Sequence, residues 1–141
     1  MKVISRRTDY AVRALVYLAG EKSSFFSSRA IAGALGIPFP FLRNIVSKLI
    51  RKKILSAQEG RSGGVRLLKR PSEISVMSLI NLFQDGLLFS ECLFRKDICP
   101  NKGGCLLRRR LEAAQKKIDR EFSRLTINDL VKDRSRKERR K

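Results

Sequence analysis

Apolar residues recur at helical spacing from the first residues onward, and Ala11, Ala14, Leu15 and Leu18 fall on one face of an amphipathic helix. The polar-bounded stretch EKSSFFSS follows. SRAIAGALG then reads as a short helix, with Ser27 or Ser28 as N-cap and Gly36 as its stop. Pro38 and Pro40 suit a turn or a first helical turn, where no backbone donor is missed. Beyond them Leu42, Ile45, Val46 and Leu49 form a core-facing stripe, leaving Arg43, Asn44, Ser47, Lys48 and Arg51 on the outward face.

Two strand-like runs, ILSAQ and VRLLK, flank EGRSGG, where Gly60, Gly63 and Gly64 can take positive-φ turn conformations. A hairpin directly after the second helix of a helix-turn-helix is a wing, so residues 1–72 are expected to form a winged helix-turn-helix. PSEISVMSLINLFQDG predicts a further helix, with Val76, Leu79, Ile80 and Phe83 on one side and Gly86 at its end. Together with a cysteine-bearing loop it fills residues 73–105. Leu107, Leu111, Ala114, Ile118, Phe122 and Leu125 then step close to a heptad seam. Such a stripe exceeds what a small domain can cover, so residues 106–132 are expected to hold a dimerisation helix and a short final helix, capped by Thr126, that packs back on the dimer. Residues 133–141 are expected to be a basic, disordered tail. The fold class is mainly α with a small β wing.

Charge sharpens the picture. The formal net charge of the 141 residues is +19, with no histidine. Residues 1–72 hold 15 Lys/Arg against 3 Asp/Glu, residues 73–131 hold 10 against 8, and residues 132–141 hold 7 against 2. Cations concentrated on the helix-turn-helix half are expected of a surface that meets a polyanion. Arg43, Asn44 and Lys48 are candidates for base contact, with Ser47 beside them. Arg61 and Arg66 belong to the wing, and Arg6, Arg7, Arg29, Arg51, Lys52 and Lys53 are candidates for phosphate. A homodimer would present two recognition helices to the half-sites of a pseudo-palindrome. The alternative partner is nucleic acid bound without sequence preference. No histidine is available as a general base and no phosphate-cradling glycine motif with its lysine is present, so an enzyme is not expected. No apolar run approaches the ~20 residues that cross a membrane. The N-terminal stretch reads as a helix rather than a leader, and a cytoplasmic location is expected.

Cys92, Cys99 and Cys105 are the only cysteines, and they lie within fourteen residues. The count is odd for disulfides and one short for a tetrahedral metal site. Pro100, Gly103 and Gly104 make the segment rich in turns, while Arg95, Lys96, Lys102 and Arg108 would favour thiolates. An iron–sulfur cluster, zinc and unligated thiols all remain open on these residues alone.

RRTDYAVRALVYLA, then SSRAIAGALGIPFPFLRNIVSKLIRKKILSAQEGRSGGVRLLKRPSEISVMSLI, then three cysteines before a long helix, resemble the Rrf2 family of bacterial transcription regulators over about residues 1–132. The wing segment GRSGG followed by LL, and the cysteine spacing, are the most specific parts. The resemblance implies a homodimeric winged-helix regulator of double-stranded DNA, expected to act as a repressor. It also implies, in members that carry one, an iron–sulfur cluster near the start of the dimerisation helix, with four irons favoured over two. One group of members completes the cluster with a histidine just after the third cysteine, where this chain has Leu106, Leu107 and Arg108. Another uses an aspartate of the partner's first helix within a TD-x-A stretch, and here TDYA places Asp9 at the matching position. The implied ligand set is Cys92, Cys99, Cys105 and Asp9, with Glu91 as a fallback, for a sensor of nitric oxide, redox state or iron supply. The chain departs from the family pattern at Pro38, Pro40, Phe41, Glu59 and Val65, which bears on the operator sequence.

Overall fold

The computed structural model describes residues 3–21, 25–87 and 104–140. Its first helix, α1 (Arg6–Gly20), opens on Ser5, whose Oγ accepts from the Thr8 N–H at 3.2 Å, and it buries Ala11, Ala14, Leu15 and Leu18. α2 (Ser28–Leu35) starts at the Ser27 cap and ends at Gly36, which takes the left-handed conformation at φ 62°. α3 (Phe39–Arg51) begins after Pro38, with Pro40 in its first turn, and turns Leu42, Ile45, Val46 and Leu49 inward. These helices share one core with Ile31, Ile54, Leu55, Val65, Ile74, Leu79 and Ile127. That is the helix-turn-helix expected from the apolar stripes.

The wing is an antiparallel pair, β1 (Leu55–Gln58) and β2 (Gly64–Leu67), with Leu55 opposite Leu67 and Gln58 opposite Gly64. Phe26 extends it by one bridge: Val65 N–H donates to the Phe26 carbonyl at 2.8 Å, and Phe26 N–H donates back at 3.0 Å. Gly64 sits at φ 144° where a Cβ would collide with the Phe26 carbonyl, so the bridge requires glycine there. Gly63, expected to supply a positive φ, does not adopt one. It is needed because a Cβ would strike the Gln58 carbonyl across the hairpin.

The stretch expected to be one helix after the wing is divided. A short 3₁₀ turn at Pro71–Glu73 leads to extended Ile74, and α4 (Val76–Gln84) starts only after the Ser75 cap. The chain then reverses through left-handed Asp85, at φ 57°, ahead of Gly86. The break has a cause. Ile74 is buried, and its carbonyl accepts from Ile127 N–H at 2.9 Å while Val76 N–H donates to the Leu125 carbonyl at 2.8 Å. This bridge clamps the junction of α5 (Leu106–Arg124) and α6 (Ile127–Glu138) against the start of α4.

The clamp divides the apolar stripe of α5. Ile118, Phe122 and Leu125 pack on Val76, Met77, Ile80 and Leu87 of the same chain, so this part of the expected dimer seam is covered in cis. Leu106 and Leu107 stay 59% and 68% exposed, and no α5 residue is fully buried. α6 also differs from expectation. It packs on α1 of its own chain through Ile127, Leu130 and Val131, and it runs through residues 133–138, where a disordered tail was expected. Helical pairs Arg134–Glu138 (3.0 Å) and Lys137–Asp133 (2.6 Å) offset part of the like-charge repulsion there. At its start, Thr126 Oγ1 and N–H both donate to the Asp129 carboxylate, which holds that carboxyl below its usual range. The small stabilisation of this exposed box is present above the usual carboxylate range and lost as pH falls through the lowered value. Among the described residues no helix is long and apolar enough to cross a membrane.

Gln84 ties α4 to the start of α1. Its Oε1 accepts from Ser5 N–H (2.8 Å) and from the buried Thr8 hydroxyl (2.9 Å), and its Nε2 donates to the carbonyls of Val3 (2.9 Å) and Gly86 (3.3 Å). Gln84→Ala leaves the Thr8 hydroxyl without that acceptor, and a loss of about 1–3 kcal/mol is expected. The midpoint of urea unfolding, compared with that of the exposed-site variant Gly20→Ala, measures it.

Candidate nucleic-acid interface

Burial of one side of α3 dictates what the other side offers. Arg43, Asn44, Ser47 and Arg51 are exposed together, as the alternation predicts. Lys48 differs. It is half-buried, with Nζ 5.4 Å from the Phe83 ring centre on α4, so it is turned from the exposed face toward the body.

Two further cations are held over aromatic rings. The Arg29 guanidinium lies 4.4 Å from the Phe39 ring centre, joining the first turn of α2 to the start of α3. The Arg66 guanidinium lies 4.7 Å from the Phe25 ring centre, beside the Phe26–Val65 bridge. Stacking of this kind limits rotamer freedom while leaving the N–H edges able to donate. Arg61 is exposed in the wing loop, Arg6 and Arg7 are exposed in the first turn of α1, and Lys52 and Lys53 are exposed just past α3. Lys53 takes the left-handed conformation, φ 56°, that turns the chain into β1.

Sequence reading missed Arg13. Its Nη2 donates to the Leu35 carbonyl at 3.1 Å, bracing α1 against the C-terminal end of α2, and its Nη1 lies 3.9 Å from Asp9. An arginine two residues from a buried alanine carries no pattern that would have flagged it. The aromatic supports Phe25, Phe39 and Phe83 were likewise invisible, because cation–ring pairs depend on tertiary placement.

Of the candidate metal ligands, Asp9 is exposed on α1 with Arg13 as its neighbour. Cys105 is a free, half-buried thiol at the N-cap of α5, and its side chain accepts no capping hydrogen bond there. Cys92, Cys99 and the fallback Glu91 lie outside the described residues. Among the described residues no three His, Cys, Asp or Glu side chains come together as a metal site.

An exposed polar recognition helix, a glycine-dependent wing and a cationic head define a winged helix-turn-helix DNA-binding protein. Comparison with known proteins names the group. Residues 4–133 match the Rrf2 family, described as iron-dependent transcriptional regulators, and the chain belongs to that family. It is 33% identical over 132 residues to Protein aau3 of Rhizobium meliloti (strain 1021), covering 93% of this chain and 86% of that one. It is 30% identical over 126 residues to the HTH-type transcriptional regulator NsrR of Shouchella clausii, covering 88% and 85%. The structure of CymR, the global cysteine regulator of B. subtilis, shares the fold with a TM-score of 0.77 at 20% identity, over 94% of this chain and 98% of that one. The protein is a DNA-binding transcriptional regulator and not an enzyme.

The candidate base readers and candidate phosphate binders should separate experimentally. Asn44→Ala is expected to cost about 1–3 kcal/mol on a selected duplex and little on random DNA. Arg51→Ala should weaken both alike and make the log–log salt slope shallower by about 0.9. Fluorescence anisotropy across a salt series measures both. For the unaltered protein a slope near −7 corresponds to roughly eight neutralised phosphates.

Proposed function

We propose that the chain is an operator-binding homodimer, a repressor in its simplest form, whose grip on DNA is set by an iron–sulfur cluster. The observation that carries this is the position of Cys105: its thiol stands at the N-cap of α5, at the opposite end of that helix from its packed root on α4, where the helix dipole favours an anionic ligand. A thiolate there, with those of Cys92 and Cys99, suits iron, and the carboxylate of Asp9 from the partner's α1 would complete the set. Such a cluster supplies redox and nitric-oxide reactivity, with its carboxylate-bound iron the most exchangeable. Similarity to NsrR supports the assignment.

The protein supplies the coupling. Asp9 lies one residue from Thr8, and Thr8 is bonded to Gln84 at the end of α4, just before the segment that carries the cysteines. A link between one subunit's cysteine segment and the other's α1 would therefore bias the spacing of two heads. About 1.4 kcal/mol of bias already changes occupancy tenfold.

Anaerobic purification is expected to yield a brown protein with about four irons and four sulfides per chain. Cys99→Ala should lose the colour and keep the helical circular dichroism. A variant that retains full iron overturns the ligand set, and a colourless protein holding zinc points to a structural metal instead. The uncovered part of α5 carries the dimer: Leu107→Lys with Leu111→Lys should shift light-scattering mass to one subunit while leaving the head folded.

A further inference from the structure

The leading end of α3 is built unlike the rest of the exposed face. Pro38 and Pro40 are both exposed, and neither has a backbone N–H to offer. Phe41 N–H and Leu42 N–H turn back to the Pro38 carbonyl, each at 3.1 Å, and no side chain caps the helix. Helix N-termini that bind phosphate do so with open N–H groups. Here two prolines and a back-turned amide remove most of them.

In their place stands Phe41, 52% exposed, one of the few large apolar side chains left in water among the described residues. Its surroundings are cationic and polar. Arg43 and Asn44 follow on the same exposed helix, and Arg29 lies over the adjoining Phe39 ring. An apolar tip inside a cationic surface is directed toward a duplex, and recognition helices meet base edges with their N-terminal residues. The apolar group that the major groove offers is the C5-methyl of thymine.

We infer that Phe41 is a specificity-determining residue that reads a thymine methyl, the apolar tip of Pro38, Pro40 and Phe41 displacing water from it. Asn44, three residues on, lies on the same flank of α3 about 5–6 Å away, and its amide matches the N6/N7 edge of adenine. The pair therefore selects an A·T base pair, or two neighbouring ones, at the centre of each half-site. The inference rests on the operator-binding function proposed above and adds the chemistry by which the operator is chosen.

The test uses the full chain and the duplex it enriches most from a randomised pool, with each thymine replaced in turn by deoxyuridine, which pairs identically and lacks the methyl. At one thymine per half-site the unaltered protein should lose about fourfold in affinity, the worth of one buried methyl-sized group. Phe41→Ala should bind the thymine and deoxyuridine duplexes equally, and Phe41→Leu should keep part of the difference. Phe41 is exposed, so both variants are expected to fold, which circular dichroism verifies. A methyl effect that persists unchanged in Phe41→Ala, or no methyl effect anywhere in an enriched duplex, overturns the role of Phe41 and leaves operator binding standing. A pool from which no sequence emerges overturns operator binding itself, and the inference with it.

Discussion

Two backbone hydrogen bonds, between Ile74 and Ile127 and between Val76 and Leu125, set the arrangement of everything after the wing. They join segments some fifty residues apart in the chain, at the one place among the described residues where extended backbone meets extended backbone outside the wing and its Phe26 bridge. With that junction clamped, α6 is carried onto α1 and the second half of α5 onto α4. The first half of α5 is then left projecting, with Cys105 at its tip. The exposure of Leu106 and Leu107 and the place of the Cys105 thiol thus both follow from where the clamp falls.

The clamp also explains how a small head can support a long helix. A helix of 19 residues is ~28 Å long and would be marginal in water on propensity alone. Ile118, Phe122 and Leu125 give it a packed root on α4, while Leu106 and Leu107 at its start stay exposed. Gln84, at the end of α4, joins that helix to the start of α1 through hydrogen bonds to Ser5 and to the buried Thr8 hydroxyl.

In the head, cations are positioned by aromatic rings. Arg29, Lys48 and Arg66 each lie over a phenylalanine, contributed by α3, α4 and the segment before α2. For the two arginines the stacking holds a guanidinium in place on an exposed surface without neutralising it. For Lys48 the same interaction draws the charge toward the body and leaves Arg43, Asn44, Ser47 and Arg51 as the open face.

Much of this was legible in the residues alone. The six described helices, the caps at Ser27 and Thr126, the wing and the exposed side of α3 follow from local spacing, because burial of one face is imposed on a helix or strand by its own periodicity. A turn glycine at position 64 was legible in the same way, but the carbonyl that demands it belongs to distant Phe26. What residues in order could not reveal is which of two apolar surfaces a stripe would choose. The six-residue seam looked like one interface, yet its second half packs on α4 of the same chain, since Ile74 interrupts the preceding helix and offers a backbone partner to Ile127. The last helix extends past the point where charge density argued against order: its first turns pack on α1 and its later ones carry i,i+4 ion pairs. Periodicity decides which side of an element is apolar; only the folded chain decides what that side meets, because pairing across long sequence separations depends on the geometry of all the elements between.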